Sequence, residues 1–86
     1  MENLEKKLKE ETEKWIEAFE AKTKGLKVTD ERGNWAANNM NAYLSDCKHF
    51  YKKGDFLRSF EAIIYAYGIY ETALHSGLIG SKGVIE

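Results

Sequence analysis

The sequence has no proline, only one cysteine, Cys47, and no excess of basic over acidic residues. Each scarcity excludes something. Without proline, the commonest interior helix breaker is gone and long helices are unopposed along the chain. A single cysteine permits no intrachain disulfide, no zinc-binding CxxC and no dithiol redox pair, which fits a reducing compartment. Thirteen Lys and Arg against fourteen Asp and Glu leave a formal charge of −1. Residues 1–27 carry seven charges of each sign, 28–54 sum to +1 and 55–86 to −2, so no segment offers the basic stripe that a nucleic-acid backbone requires. No run of about 18 apolar residues exists to cross a membrane, and the opening MENLEKKLKEETEKW is too charged for a signal peptide. The expected location is the cytoplasm, with no nucleic-acid and no membrane partner.

What is present suffices for one domain: 86 residues, 43% hydrophobic and 31% charged. Breaks at Gly25 and Gly54 divide the chain into helical segments of about 3–24, 30–53 and 56–76. The first puts Leu4, Leu8, Thr12, Trp15, Ile16 and Phe19 on one face. Its apolar stripe is thin before Trp15, so that end is expected to project past the bundle. The second segment reads as capped by Thr29, with Asp30 and Glu31 at the positive end of the helix dipole. Its stripe is Ala36, Ala37, Met40, Tyr43, Leu44, Cys47, Phe50 and Tyr51, and Gly54 is placed for a left-handed C′ residue. Asp55 caps the third segment and Gly77 ends it. Phe56, Phe60, Ile63, Tyr67, Tyr70 and Leu74 recur there at spacings of four and three, with Leu57 and Ile64 widening the stripe. Short loops force consecutive helices antiparallel. The expected fold class is all-α: an antiparallel, up-down-up three-helix bundle over residues 1–78, with 79–86 as a short extended or disordered C-terminal tail.

Several of these residues form a recognisable pattern: Met40-x-x-Tyr43-x-x-Asp46, Phe50, Lys53-Gly54-Asp55, Phe60-Glu61-Ala62, Tyr65-Ala66-Tyr67-Gly68 and Gly77-Leu78. Together they resemble a small archaeal family known as domain of unknown function 357, over about residues 36 to 80. The resemblance implies a helical bundle and an archaeal source, and no activity. The chain departs from the family pattern at Tyr67, where histidine is expected, and at Glu71, where aspartate is expected.

Among the polar residues, Asp46-x-x-His49 and Glu71-x-x-x-His75 each share a helix face and invite a metal reading. In an antiparallel pair turning at Lys53-Gly54, facing residues have numbers adding to about 107, which sets the two histidines roughly 25 Å apart at 1.5 Å per residue. Neither pair alone supplies the three or four ligands of a metal site, so no metal and no cofactor is expected. The same register brings Asp46 level with Glu61, with Arg58 and Tyr43 one turn away. Two adjacent carboxylates can raise one pKa for acid–base work, but Arg58 opposes that, and the plainer reading is a hydrogen-bonded network fixing the turn. Glu71 falls inside the apolar stripe, between the directions of Phe60 and Ile64. It either reaches past the core into water or, if enclosed, marks a small ligand pocket with Trp35, Tyr67 and Tyr70. Cys47, mid-stripe, reads as a buried apolar side chain rather than a nucleophile.

The third segment is apolar around more than half its circumference, because Ala62, Ala66, Ile69 and Ala73 form a second flank with Tyr65 beyond it. Either the first helix and the tail cover that flank, or a second molecule does. The expectation is a homodimer, or a partner helix, docked across Ala62, Tyr65, Ala66, Ile69 and Ala73. The function class that follows is a non-enzymatic helical interaction module with no catalytic residues. The alternative is a ligand-binding or enzymatic bundle using Glu71, Tyr67 and Trp35, or Asp46, Glu61 and Arg58.

Overall fold

The computed structural model describes residues 2–80. Three helices run in sequence, α1 (Glu2–Thr23), α2 (Glu31–Lys52) and α3 (Phe56–His75), with two-residue strands β1 (Lys27–Val28) and β2 (Ile79–Gly80). The all-α bundle expected from the sequence is present, its helix boundaries within one residue of those expected. Its packing is uneven. α3 lies against both other helices, whereas α1 and α2 scarcely approach each other through their backbones.

The α2–α3 turn is built as the sequence implies. Gly54 takes φ 80°, its amide donates to the Tyr51 carbonyl and that of Asp55 to the Phe50 carbonyl. These two bonds satisfy carbonyls orphaned at the end of α2 in a Schellman arrangement. Asp55 then caps α3, its carboxylate accepting from the Arg58 amide at 3.2 Å. Gly77 ends α3 in the same way, with φ 77° and the Leu78 amide on the Ala73 carbonyl. The register follows from the short turn and pairs Cys47 with Ser59 and Tyr43 with Tyr65, ring centroids 5.5 Å apart.

Two expectations are corrected at the other end of the bundle. The cap of α2 is Asp30, not Thr29: its carboxylate accepts from the amides of Arg32 and Gly33. Thr29 is occupied elsewhere, since its amide and hydroxyl both donate to the Leu78 carbonyl. The reading of 79–86 as a tail is also corrected at its first two residues. Ile79 and Gly80 pair antiparallel with Val28 and Lys27, and Ile79 is buried against the core; the remainder, 81–86, lies outside the described residues. Periodicity could not reveal a pairing of two residues with two others some fifty positions away.

Burial concentrates on α3 and the faces turned to it. Phe19, Met40, Cys47, Ile63 and Ala66 are fully buried or nearly so, and each large apolar side chain removed from water contributes about 1.5–3 kcal/mol. The small residues Ser59, Ala62, Ala66 and Ala73 are buried on one side of α3, letting α2 approach closely. The Ser59 hydroxyl donates to the Cys47 carbonyl at 2.7 Å, and no buried side-chain polar atom among the described residues lacks a partner. On the adjacent side Trp15 and Phe19 of α1 meet Phe60, Tyr67 and Tyr70 edge to face. Burial of the flank thus comes from within the chain: Ala62, Ala66 and Ala73 belong to the core, and only Tyr65 and part of Ile69 stay at the surface.

α1 is tied to α2 by side chains alone. Lys48 pairs with Glu20 at 2.6 Å, and the Tyr51 hydroxyl donates to the Glu13 carboxylate, which Lys9 also meets at 3.1 Å. Residues 3–7 have no such ties and are exposed, Leu4 among them, as the thin stripe implied.

Two predictions follow from these contacts. A Cβ on Gly33, in the first turn of α2, would collide with the Leu78 carbonyl oxygen and come within 2.8 Å of Val28 Cγ1. Gly33→Ala is expected to lower stability by about 1–3 kcal/mol, although the same change in an open helix gains up to about 1 kcal/mol; thermal melting by circular dichroism reads the sign, and a higher melting temperature would refute the collision. The second concerns pH. The Tyr51 hydroxyl and Lys9 hold the Glu13 carboxyl below its ordinary range, while Glu13 pushes the Tyr51 phenol above its own. The depressed carboxyl adds stability present above the ordinary carboxylate range and lost as pH falls through its folded value; the raised phenol adds stability lost as pH rises through its folded value. The melting-temperature difference between wild type and Glu13→Gln is expected to be largest near neutrality and to shrink toward both extremes. A pH-independent difference would show that this link contributes nothing.

Candidate functional site

Three places hold the residues singled out for chemistry. The first is a recess of about 270 Å³ at the α2–α3 turn, lined by Tyr43, Asp46, Phe50, Arg58, Glu61, Ala62 and Tyr65. The antiparallel register does bring acid, acid, base and phenol together. Asp46, Glu61 and Arg58 are all exposed, however, so water solvates each charge separately. Arg58 turns toward Asp55, at 3.8 Å, and its guanidinium lies over the Phe50 ring at 5.9 Å. The arrangement suits a capped turn decorated with surface charge better than an acid–base pair, which needs a desolvated carboxyl.

The second place is a groove of about 530 Å³ between α1 and α3, lined by Glu11, Lys14, Trp15, Ala18, Ile64, Tyr67, Gly68 and Glu71. Glu71 lies at its edge and is exposed, so the enclosed-carboxylate alternative gives way to the one in which it reaches water. The pocket expected among Trp35, Tyr67 and Tyr70 does not form. Trp35 is 66% exposed, and the tryptophan beside Tyr67 is Trp15, ring centroids 5.0 Å apart and nearly perpendicular. The helical wheel of α3 placed Tyr67 and Glu71 correctly relative to each other. It could not say which helix faces them, and α1 rather than α2 does. Gly68, absent from the sequence-based candidates, lies in the groove with nothing within 4 Å of where its Cβ would be.

The third place is the buried Cys47. Its sulfur lies 3.3 Å from the Ser59 oxygen; since the Ser59 proton is given to the Cys47 carbonyl, the thiol is the donor in that contact. Burial pushes the thiol up from its ordinary range. This is the reverse of an activated nucleophile. Among the described residues no group of three or more His, Cys, Asp or Glu side chains is placed to hold a metal ion, and no helix is long and apolar enough to cross a membrane.

The fold defines a class before it defines a family: an antiparallel helical hairpin, α2–α3, with a third helix docked on α3 and a two-residue β clasp at one end. The chain belongs to the family described as Protein of unknown function (DUF357), whose model matches residues 2–79. The match takes in α1, which the motifs at 36 to 80 did not reach. The crystal structure of protein AF1782 from Archaeoglobus fulgidus, assigned to the same family, is similar with a TM-score of 0.78 and 35% identity, covering 91% of this chain and 97% of that one. No curated protein matches the sequence. Neither the family description nor that relative supplies an activity, so function rests on the surface.

The environment of Cys47 makes one outcome specific. Its reaction with an aromatic disulfide reagent at neutral pH is expected to follow global unfolding, with a rate that rises with denaturant in step with loss of helical signal. Rapid, denaturant-independent labelling of the native protein would contradict both the burial and the raised thiol.

Proposed function

We propose that the protein is a non-enzymatic helical interaction module that pairs with a second copy of itself through the outward face of α3. The observation that carries this reading is the apolar surface left on α3 after α1 and α2 have packed. Leu57 is 66% exposed and Tyr65 53% exposed, and both line a shallow depression with Phe60 and Ile64. The interface differs from the one expected across Ala62, Ala66 and Ala73, which the chain itself buries. Of the expected interface residues only Tyr65 and the edge of Ile69 remain available.

A second copy is favoured over an unrelated helix by the charges of the patch. Arg58 and Glu61 border it, three residues apart on one helix. A two-fold axis pairing α3 with an antiparallel copy sets each Arg58 against the other chain's Glu61 and buries Leu57 and Tyr65 between them. Such a patch is self-complementary, as a closed dimer requires.

Light scattering on the purified protein tests the reading directly. The expected mass at micromolar concentration is that of a dimer, and Leu57→Glu is expected to halve it without loss of helical signal, since Leu57 is 66% exposed. A monomeric wild type would sink the proposal, and a variant that keeps the dimer mass would move the interface elsewhere. Ala66→Glu does not serve, because Ala66 is fully buried and a charge there unfolds the protein.

A further inference from the structure

The α1–α3 groove has features that its role in the fold does not use. Trp15 and Tyr67 form an aromatic wall, with Ile64 and Ala18 completing the apolar lining. At the rim, Lys14 is answered by Glu11 at 3.7 Å. Among the described residues Glu71 takes part in no ion pair. The groove is therefore apolar and aromatic within and carries, among the described residues, one negative charge at its edge without an ion-pair partner.

Gly68 is a separate observation pointing the same way. Glycine within a helix lowers stability by about 1 kcal/mol relative to alanine, and a glycine so placed is normally explained by a neighbour too close for a Cβ. Gly68 has no such neighbour: it is exposed, with open space where its Cβ would sit. Gly33, by contrast, has its reason in the Leu78 carbonyl. The absent side chain at 68 lowers one wall of the groove and bares helix backbone to whatever enters it.

We propose that this groove binds a small amphiphilic organic cation, an ammonium or guanidinium head on an aromatic or aliphatic body. Glu71 takes the head; Trp15, Ile64 and Tyr67 take the body, passing over Gly68. Cations are favoured over anions because Glu71 would repel a carboxylate or phosphate, and because the faces of Trp15 and Tyr67 attract positive charge. The lining spans residues 11–18 of α1 and 64–71 of α3, about 10 Å along each helix at 1.5 Å per residue. That length suits one small molecule. The inference does not rest on self-association: Leu57 and Tyr65 lie outside the groove lining, and Ile64 alone borders both surfaces.

The test uses the full chain carrying Trp35→Phe, which leaves Trp15 as the only tryptophan and alters a side chain that is 66% exposed. Trp15 emission is followed on titration with phenethylamine, phenethyl alcohol and 3-phenylpropionate, three probes that share a phenethyl body and differ in the head. The amine is expected to give a saturable change, the alcohol to bind about tenfold more weakly and the acid more weakly still. Glu71→Gln should weaken the amine by about tenfold and leave the alcohol unchanged. Gly68→Ala should raise the melting temperature while weakening both amine and alcohol, a pairing that a purely structural glycine would not produce. The proposal is overturned if the amine gives no saturable change, if amine and alcohol bind alike, or if Glu71→Gln binds the amine as wild type does. Because Glu71 is exposed and Gly68→Ala favours helix, neither variant puts the fold at risk.

Discussion

α3 has to satisfy two neighbours of different character on adjacent sides. Toward α2 it presents Ser59, Ala62, Ala66 and Ala73, small side chains that bring the helices close enough for the Ser59 hydroxyl to reach the Cys47 carbonyl. Toward α1 it presents Phe60, Tyr67 and Tyr70, large rings that hold the other helix further off and meet Trp15 and Phe19 edge to face. Close packing of small residues maximises dispersion contacts along the backbone, whereas the aromatic side gains from large areas withdrawn from water. Because the backbones of α1 and α2 scarcely approach each other, neither packing can substitute for the other. The core is in effect two half-interfaces sharing one helix.

The arrangement explains which polar contacts matter. The ion pair between α1 and α2 involves half-exposed groups, Lys48 and Glu20 at 52% and 47%, and pairs of that kind contribute about 0–1 kcal/mol. It orients α1 rather than holds it. The Leu78 carbonyl is in a different position. It accepts from the amide and hydroxyl of Thr29 and sits against Gly33, joining the chain leaving α3 to the connection between α1 and α2.

Much of the fold was legible because its signals are local. Gly54, Asp55 and Gly77 announce their caps by residue type, and spacings of three and four in α3 mark a helix whatever surrounds it. The burial of Thr12 on the α1 stripe also follows from spacing. What failed depended on knowing which faces meet. The wheel of α3 showed both apolar flanks, but took one as core and the other as surplus, when they are the α1 side and the α2 side of the same core. Trp35 and Trp15 are equally good aromatic partners for Tyr67 in a sequence, and only the docking side of α1 decides between them. Thr29 and Asp30 are both competent caps, and the choice fell to Asp30 because the Leu78 carbonyl, nearly fifty residues on, claims the threonine. The groove lined by Trp15 and Tyr67 shares this origin. It is made by two helices distant in sequence, and its one chemical marker in the sequence was Glu71 among apolar neighbours.

The β clasp also determines where the chain tolerates a change of length. It fixes the C-terminal end of α1, and Trp15 and Phe19 must arrive on the α3 side from that anchor. One residue inserted within the last turn of α1, between Phe19 and Thr23, turns everything before it by about 100°, carrying both rings away from Tyr67 and Tyr70. An insertion ahead of Leu8 moves nothing but an overhang that is already solvated. Variation in the length of α1 should therefore accumulate at its N-terminal end, and its last turn, from Phe19 to Thr23, should keep its length even where its residues change.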